Sequence, residues 1–160
     1  MDQIIVVPKA LTPEACDILI KDADFHNTTA NAAPFDYKDY NNLERRRMND
    51  HPIVKGLGEL FKWNIENAPI IWYPAGTSNT LHADNSINDN GNIIKMTDWT
   101  HSVIVFLNDN FNGGELIYPD QGIVIKPTIG TMVVAPAGID YPHMVTKTDS
   151  DRYVLVLRLI

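Results

Sequence analysis

A succession of short β-type runs most constrains how this chain can fold. From about residue 68, runs rich in Val, Ile, Leu, Phe and Tyr alternate with turn residues, such as P-A-G at 74–76 and N-G-G at 112–114. The predicted strands are 69–73, 80–83, 102–107, 115–118, 123–126, 131–135, 141–146 and 152–159. Many short strands with regular turn signals are typical of a β-sandwich, a barrel or a jelly roll.

The N-terminal part predicts a short strand followed by helices. Residues 4–7 form an apolar run, which suits a first strand. Beyond it, Thr12 is a favourable N-cap and Pro13 fits the first helical position, so an amphipathic helix should begin there. A second helix is predicted after Pro52, and residues 26–50, rich in Asn, Asp, Ala and Tyr, are predicted to form a long loop with room for a short strand.

The length of 160 residues suits one domain. We predict a single α+β domain over residues 1–160, with a helical front part over about 1–67 and a β core over about 68–160. Because an amphipathic helix must bury its apolar stripe, the N-terminal helices are expected to pack on one sheet of the jelly roll.

Charge and hydropathy limit the partners of the chain. The net charge of −7 disfavours nucleic-acid binding, which relies on basic residues that neutralise phosphates. The basic run at 45–47 is flanked by Glu44 and Asp50 and is predicted to be a solvated loop or helix face. No apolar stretch approaches the ~20 residues of a membrane span, and the N-terminus lacks the pattern of a secretory signal. We therefore expect a cytoplasmic protein without nucleic-acid or membrane partners.

The single cysteine, Cys16, excludes an intramolecular disulfide and a zinc site built from several cysteines. Because it falls in the apolar stripe of the first predicted helix, we expect it to lie in the core.

The stretch T-L-H-A-D-N at 80–85 places His82 and Asp84 two residues apart. In a strand, residues i and i+2 point to the same face, so both side chains would enter the space that this face encloses. The pattern His-x-Asp also occurs by chance, so a metal site requires a third ligand from elsewhere in the chain.

A third ligand is best supplied by His143, which lies in a β-type run after the turn at Gly138. His101 is the alternative because it borders the predicted strand 102–107, whereas His26 and His51 are predicted to lie on the surface. Two histidines and one aspartate form a facial triad that leaves coordination positions open, which suits Fe(II) in an oxygenase better than zinc.

The last predicted strand, D-R-Y-V-L-V-L-R-L-I, places Arg152 and Arg158 on one face. Oxygenases with such a triad commonly use 2-oxoglutarate, whose far carboxylate needs a cation in the cavity. The planar fork of an arginine matches a carboxylate with two hydrogen bonds. Arg152 is the preferred residue because it lies nine positions after His143. In the alternative interpretation, the valines of this face pack and both arginines extend to solvent.

With these residues in view, the chain resembles the 2-oxoglutarate- and Fe(II)-dependent dioxygenases, specifically the prolyl 4-hydroxylase-like group. The matching segments occur in the family's order. They are V-P-K-A-L-T-P-E-A-C-D-I-L-I, I-I-W-Y-P-A-G-T-S-N-T-L-H-A-D-N, S-V-I-V-F-L-N-D-N-F-N-G-G-E-L, G-I-V-I-K-P-T-I-G-T-M-V-V-A-P, and P-H-M-V followed by D-R-Y. The resemblance implies a double-stranded β-helix core.

The resemblance also implies a role for individual residues. His82, Asp84 and His143 would hold the iron, and Arg152 would pair with the far carboxylate of 2-oxoglutarate. Tyr73 would donate a hydrogen bond to this cosubstrate, and Ser102 falls where a hydroxyl residue often lines its pocket. Gly113, Gly114 and Glu115 would be structural. Arg158 and Lys147 remain alternatives for the clamp, the basic residue that binds the far carboxylate of 2-oxoglutarate. Arg158 stands near a position where the family often has a tryptophan.

The activity implied by the resemblance is hydroxylation of a prolyl residue in a peptide or protein, with dioxygen and 2-oxoglutarate consumed, succinate and CO2 released, and ascorbate as the reductant. A free amino acid or another substrate is the first alternative. A non-catalytic, cupin-like module that binds a metal or small molecule is the second. Segments 26–50 and 85–98 are candidates to cover the substrate, and Trp72, Trp99 and Tyr40 could line the pocket, although core packing is the better expectation for each.

Overall fold

The computed structural model describes residues 3–25 and 43–160, and the backbone of residues 37–38. The helices and strands follow in the order β1 (Ile5–Val7), α1 (Pro13–Ala23), β2 (Tyr37–Lys38), β3 (Glu44–Arg47), α2 (Pro52–Phe61), β4 (Ile65–Asn67), β5 (Pro69–Tyr73), β6 (Asn79–His82), β7 (Ser86–Asp89), β8 (Asn92–Lys95), β9 (His101–Phe106), β10 (Leu116–Tyr118), a 3-10 turn (Pro119–Gln121), β11 (Ile123–Ile125), β12 (Met132–Pro136), β13 (His143–Val145) and β14 (Arg152–Leu159). His26 and Tyr40 lie outside the described residues.

The strands form antiparallel sheets. The larger sheet has the order β1-β12-β9-β14-β5-β3-β2, with β4 paired to the end of β14, and the smaller sheet has the order β11-β10-β13-β6. Strands β7 and β8 form a separate hairpin. A mostly β molecule with two helices in its described part matches the predicted jelly-roll-like architecture. The part before residue 68, which was predicted to be helical, also contributes strands to the larger sheet.

Helix α1 begins and ends where its sequence predicts. The Thr12 hydroxyl accepts a hydrogen bond of 3.1 Å from the Ala15 N–H, and Pro13 takes the first helical position. The helix ends at Ala23, where Asp24 adopts a left-handed conformation with φ of 50°. Its buried face includes Cys16, which confirms the core position predicted for this residue.

Helix α2 is capped by His51, a residue that the sequence predicts at the surface. The Nδ1 atom of His51 accepts a hydrogen bond from the Ile53 N–H at 3.1 Å, and its Nε2 lies 2.8 Å from Asp22 Oδ2. Because Asp22 belongs to α1, this single imidazole both begins α2 and joins the two helices.

Two apolar layers lie on opposite faces of the larger sheet, and β14 shows why. Its residues Leu155, Leu157 and Leu159 pack with the buried side chains of α1 and α2. Its residues Val154 and Val156 pack instead with side chains of the smaller sheet. This period of two is the one read from the sequence, and it places both arginines of the strand on the face that looks toward the smaller sheet.

Two segments differ from their predicted structure. Residues 45–47, predicted as a solvated loop or helix face, belong to β3 and pair with β5, so main-chain hydrogen bonds decide their conformation. Residues after Asp84, predicted as a loop, form the β7–β8 hairpin, in which Ile87 pairs with Ile94. The turn N-D-N-G explains the hairpin, because Asn90 and Gly91 adopt positive φ angles of 52° and 91°.

Neither helix in the described ranges has the length and apolar character needed to cross a lipid bilayer.

Candidate active site

His82 and His143 are brought together by strand pairing. The two residues lie directly opposite each other on β6 and β13, so their side chains share a face of the smaller sheet. Their ring centroids are 4.5 Å apart. Asp84 follows β6 by two residues, and its side chain is only 2% exposed.

Main-chain carbonyl groups orient both imidazole rings. His82 Nδ1 lies 2.6 Å from the Thr80 oxygen, and His143 Nδ1 lies 3.1 Å from the Tyr141 oxygen. A carbonyl oxygen can only accept, so each Nδ1 donates, and in the neutral ring Nε2 then carries the lone pair that a metal would use. Both Nε2 atoms face Asp84 Oδ1, at distances of 3.4 Å for His82 and 3.6 Å for His143.

This donor set fits a metal ion. One ligand atom from each of His82, Asp84 and His143 can be chosen so that all three lie within 4.8 Å of one another. Two donors that each lie about 2.1 Å from one metal ion are separated by about 3.0–3.4 Å at octahedral to tetrahedral angles. The distances between Oδ1 and the two Nε2 atoms are close to this range. A set of two histidines and one carboxylate leaves positions open for other ligands, as in non-heme Fe(II) sites.

Asp84 and His143 have charge states that suit metal ligands, whereas His82 would have to lose the proton that Asp84 stabilises. Burial lowers the pKa of His143, which favours its neutral, ligating form. Burial acts in the same direction on His82, but the hydrogen bond and charge of Asp84 outweigh it and raise its pKa. Burial would raise the pKa of Asp84, but Arg158 and then His143 hold it well below its ordinary range.

The structure brings His143, and not the alternative His101, to the cluster. His101 begins β9 and pairs with Pro136, and its Nδ1 lies 3.1 Å from the Thr100 hydroxyl. Ser102, the next residue of β9, is buried, and its hydroxyl accepts a hydrogen bond of 2.7 Å from Arg158 Nη1.

The cluster opens into a small cavity of about 40 Å³ between the two sheets. The side chains around it come from both sheets and combine apolar walls with basic groups. They are Arg45, Ile71, Tyr73, Asn79, His82, Asp84, Ile104, His143, Val145, Arg152, Val154, Val156 and Arg158. No sequence pattern indicates Arg45 as a cavity residue, because its basic run predicts a solvated loop or helix face.

Arg152 is a buried cation with unused hydrogen-bonding capacity. Arg152 is 1% exposed. Its guanidinium carbon lies 4.5 Å from the Tyr73 ring centroid and 5.6 Å from the Phe106 ring centroid. Burial lowers the pKa of Arg152, and Tyr73 opposes this effect. Within the part of the chain that the structure describes, its Nε and Nη1 atoms have no hydrogen-bond partner. Two donors without partners, in the cavity that His82, Asp84 and His143 also line, fit the far carboxylate of 2-oxoglutarate.

Tyr73 lies directly across β5 and β14 from Arg152 and is 3% exposed. Its hydroxyl accepts a hydrogen bond of 3.3 Å from Asn79 Nδ2, so its own proton remains available for a ligand in the cavity. Trp72, the preceding residue, packs on the helix side of the sheet and not in the cavity.

The alternative clamp residues occupy different places. Lys147 is exposed. Arg158 lines the same cavity as Arg152 but lies beside the three candidate metal ligands, with its Nη1 2.7 Å from Asp84 Oδ2. Trp99 covers it, with the guanidinium carbon 4.8 Å from the ring centroid.

Gly113 and Gly114 shape the wall behind Arg152. Both adopt positive φ angles, 81° and 72°. A Cβ on Gly113 would lie 1.9 Å from the Lys147 carbonyl oxygen, and a Cβ on Gly114 would lie 2.9 Å from Thr148 Cγ2 and 3.1 Å from Arg152 Cδ. Both glycines therefore have the structural role that the resemblance implies, because a side chain at either position would collide with the segment at Lys147 and Thr148.

We expect Gly114→Ala to lower the free energy of unfolding by about 1–3 kcal/mol through backbone strain and to displace Arg152. The matched control is Gly76→Ala, because Gly76 also has a positive φ, 84°, but a Cβ there meets no atom within 4 Å. Denaturant unfolding measures the first effect, and 2-oxoglutarate affinity measures the second. Equal loss of that affinity in both variants would contradict the role of Gly114.

Comparison with known proteins gives a match at the level of structure. No family model matches the chain, and no curated protein matches it in sequence. The viral collagen prolyl hydroxylase of Paramecium bursaria Chlorella virus 1, solved with 2-oxoglutarate, superposes with a TM-score of 0.76 at 16% identity, covering 98% of this chain and 94% of that chain. A prolyl 4-hydroxylase of Pseudomonas putida gives a TM-score of 0.74 at 16% identity, covering 99% and 92%.

A third similar structure is a prolyl hydroxylase of Trichoplax adhaerens in complex with a peptide fragment of the oxygen degradation domain of hypoxia-inducible factor. It superposes with a TM-score of 0.68 at 16% identity and covers 100% of this chain and 84% of that chain. At these identities the likeness concerns the fold, and it confirms the fold resemblance inferred from the sequence motifs. The chain therefore has the fold of the prolyl 4-hydroxylase-like 2-oxoglutarate and Fe(II) oxygenases.

Proposed function

We propose that this protein is a 2-oxoglutarate- and Fe(II)-dependent dioxygenase. The observation that carries the proposal is one cavity in which a three-ligand cluster with open positions lies beside a buried arginine that lacks partners for two of its donors. A structural role alone would not require both features, because an uncompensated buried charge destabilises a fold.

In this proposal each residue of the cavity has a separate task. His82, Asp84 and His143 hold Fe(II), with Nε2, Oδ1 and Nε2 as the ligand atoms. Arg152 binds the far carboxylate of 2-oxoglutarate through its two unused donors, and the Tyr73 hydroxyl adds a hydrogen bond. The apolar walls, among them Ile71, exclude bulk water from the bound cosubstrate.

When bound, the iron would supply the activation of dioxygen, coupled to conversion of 2-oxoglutarate into succinate and CO2 and to hydroxylation of the substrate. The chain supplies geometry and shielding. Asp84 pairs with the cation of Arg158 beside the metal site. The far carboxylate of the bound cosubstrate pairs with the cation of Arg152.

We further propose that residues 1–160 act as one catalytic domain with a double-stranded β-helix core, and that the substrate is a prolyl residue in a peptide or protein. The sequence motifs support this choice, as do the prolyl hydroxylases among the similar structures, one of which holds a peptide. A free amino acid or another substrate is the alternative that keeps the same chemistry.

The proposal predicts succinate formation by the purified protein with Fe(II), ascorbate and 2-oxoglutarate, and faster formation when a proline-containing peptide is added. Mass spectrometry of a peptide library should show a product heavier by one oxygen, formed in equal amount to the additional succinate. A protein that binds iron but releases no succinate with any peptide or amino acid would be the cupin-like binding module instead.

A further inference from the structure

The carboxylate of Asp84 is shared between two neighbours in a way that the metal ligands alone do not explain. Its Oδ1 faces the Nε2 atoms of His82 and His143, while its Oδ2 lies 2.7 Å from Arg158 Nη1 in an ion pair whose angles do not form a hydrogen bond. One oxygen therefore belongs to the ligand cluster and the other to a cation. The carboxylate is buried, so solvent does not compete strongly for either oxygen.

Arg158 is held in place independently of Asp84. Its Nη1 donates to the Ser102 hydroxyl at 2.7 Å, and Ser102 is its direct partner across β9 and β14. Trp99 covers the guanidinium at 4.8 Å and is itself fixed by a hydrogen bond of 2.7 Å from its Nε1 to Glu66 Oε2. A cation with so many supports has a defined position before any ligand enters the cavity.

We propose that Arg158 is a positioning residue that holds Asp84 as a one-oxygen metal ligand. By engaging Oδ2, it keeps this oxygen away from the metal and turns Oδ1 toward it. A carboxylate released from this contact can rotate, so that Oδ1 no longer faces the metal in a fixed orientation and the metal binds less tightly. The inference rests on the proposed function, since it assigns a task at the same metal cluster.

The arrangement also separates the tasks of the two buried arginines of β14. Arg152 has unused donors and no carboxylate beside it within the described residues, whereas Arg158 is already paired with Asp84. The six-residue spacing keeps both on the cavity face of the strand but places them beside different parts of the cavity. Of these two cations, one is free for a ligand and the other serves the metal.

The test measures the binding of Mn(II), a redox-stable probe of the iron site, by titration calorimetry. It compares the native protein with Arg158→Met, a variant that keeps most of the side-chain length and removes the charge. We expect the variant to bind Mn(II) about 10–100-fold more weakly, the loss typical for an outer-shell partner of a metal ligand. The absorption spectrum of the Co(II)-loaded variant should differ from that of the native protein, because the coordination of Asp84 changes. Arg158→Lys keeps the charge and should recover part of the lost affinity.

Arg152→Met is the matched control, since it removes the other buried cation of the same strand and should leave Mn(II) affinity and the Co(II) spectrum unchanged. A cation near a metal also repels it, so equal or tighter Mn(II) binding by Arg158→Met would overturn the proposal. So would an Arg158→Lys variant that folds and binds as weakly as Arg158→Met.

Thermal unfolding in EDTA shows whether each variant folds without metal. If Arg158→Met does not fold, Ser102→Ala decides, because it removes only the hydroxyl that anchors Arg158. Weaker Mn(II) binding by Ser102→Ala supports the proposal, and unchanged binding overturns it. A native protein that fails to bind Mn(II) would overturn the proposed function as well, whereas native binding with unchanged variants would overturn only the role of Arg158.

Discussion

Replacing His143 with alanine should abolish metal binding and 2-oxoglutarate turnover, whereas replacing His101 with alanine should leave both intact. His143 Nε2 faces Asp84 Oδ1 at 3.6 Å in the cluster, while His101 lies at the start of β9, outside it. Removing a direct ligand should weaken Mn(II) binding by more than about 100-fold, because loss of an outer-shell partner alone typically costs about 10–100-fold.

The two histidine variants form a matched pair, since both residues lie on strands and both were candidates for the third ligand. Titration calorimetry with Mn(II) and a succinate assay with Fe(II) measure the two effects. Thermal unfolding in EDTA shows that the metal-free variants fold. A His143→Ala variant that keeps its Mn(II) affinity, or a His101→Ala variant that loses it, would contradict the assigned ligand set.

Replacing Arg152 with methionine should remove most of the affinity for 2-oxoglutarate while leaving metal binding unchanged. Truncating one partner of a buried charged pair costs about 2 kcal/mol or more, which corresponds to at least about a 30-fold increase in Kd. Because the guanidinium is buried with two unused donors, the ligand-free variant should be as stable as the native protein or more stable.

The measurement is 2-oxoglutarate binding at saturating Mn(II), together with the melting temperature with and without the cosubstrate. The native protein should gain thermal stability from 2-oxoglutarate and the Arg152→Met variant should not, because only a ligand that binds the folded state stabilises it. Arg158→Met serves as the control and should keep its 2-oxoglutarate affinity once metal is saturating. A larger loss in Arg158→Met than in Arg152→Met would reassign the clamp.

Local patterns predicted much of the secondary structure. The capping residues Thr12 and Pro13 determine where α1 begins, and the predicted strand 152–159 coincides with β14. These features depend on neighbouring residues, since caps, turns and side-chain alternation act over a few positions. The hairpin after Asp84 and the pairing of β3 with β5 were not predicted, because polar and charged strands lack the apolar alternation that identifies a strand.

Local sequence patterns predicted the site only in part. The spacing of His82 and Asp84 and the β-type run around His143 identified the three residues of the cluster, but whether His143 or His101 completes it depends on which strand lies opposite β6. Strand order joins residues that are far apart in sequence, and no local pattern specifies it. Arg45 was missed for this reason, since its place beside the cavity comes from the pairing of β3 with β5.

The two arginines of β14 show which features the sequence determines and which depend on the tertiary structure. By itself, the sequence determined that Arg152 and Arg158 share a face, because alternation along a strand has a fixed period of two. Only the tertiary structure decided that both enter the cavity and do not extend to solvent, and that Arg158 meets Asp84 while Arg152 keeps unused donors. Partners of a buried charge are set by the packing of two sheets, whose contacts join residues that are distant along the chain.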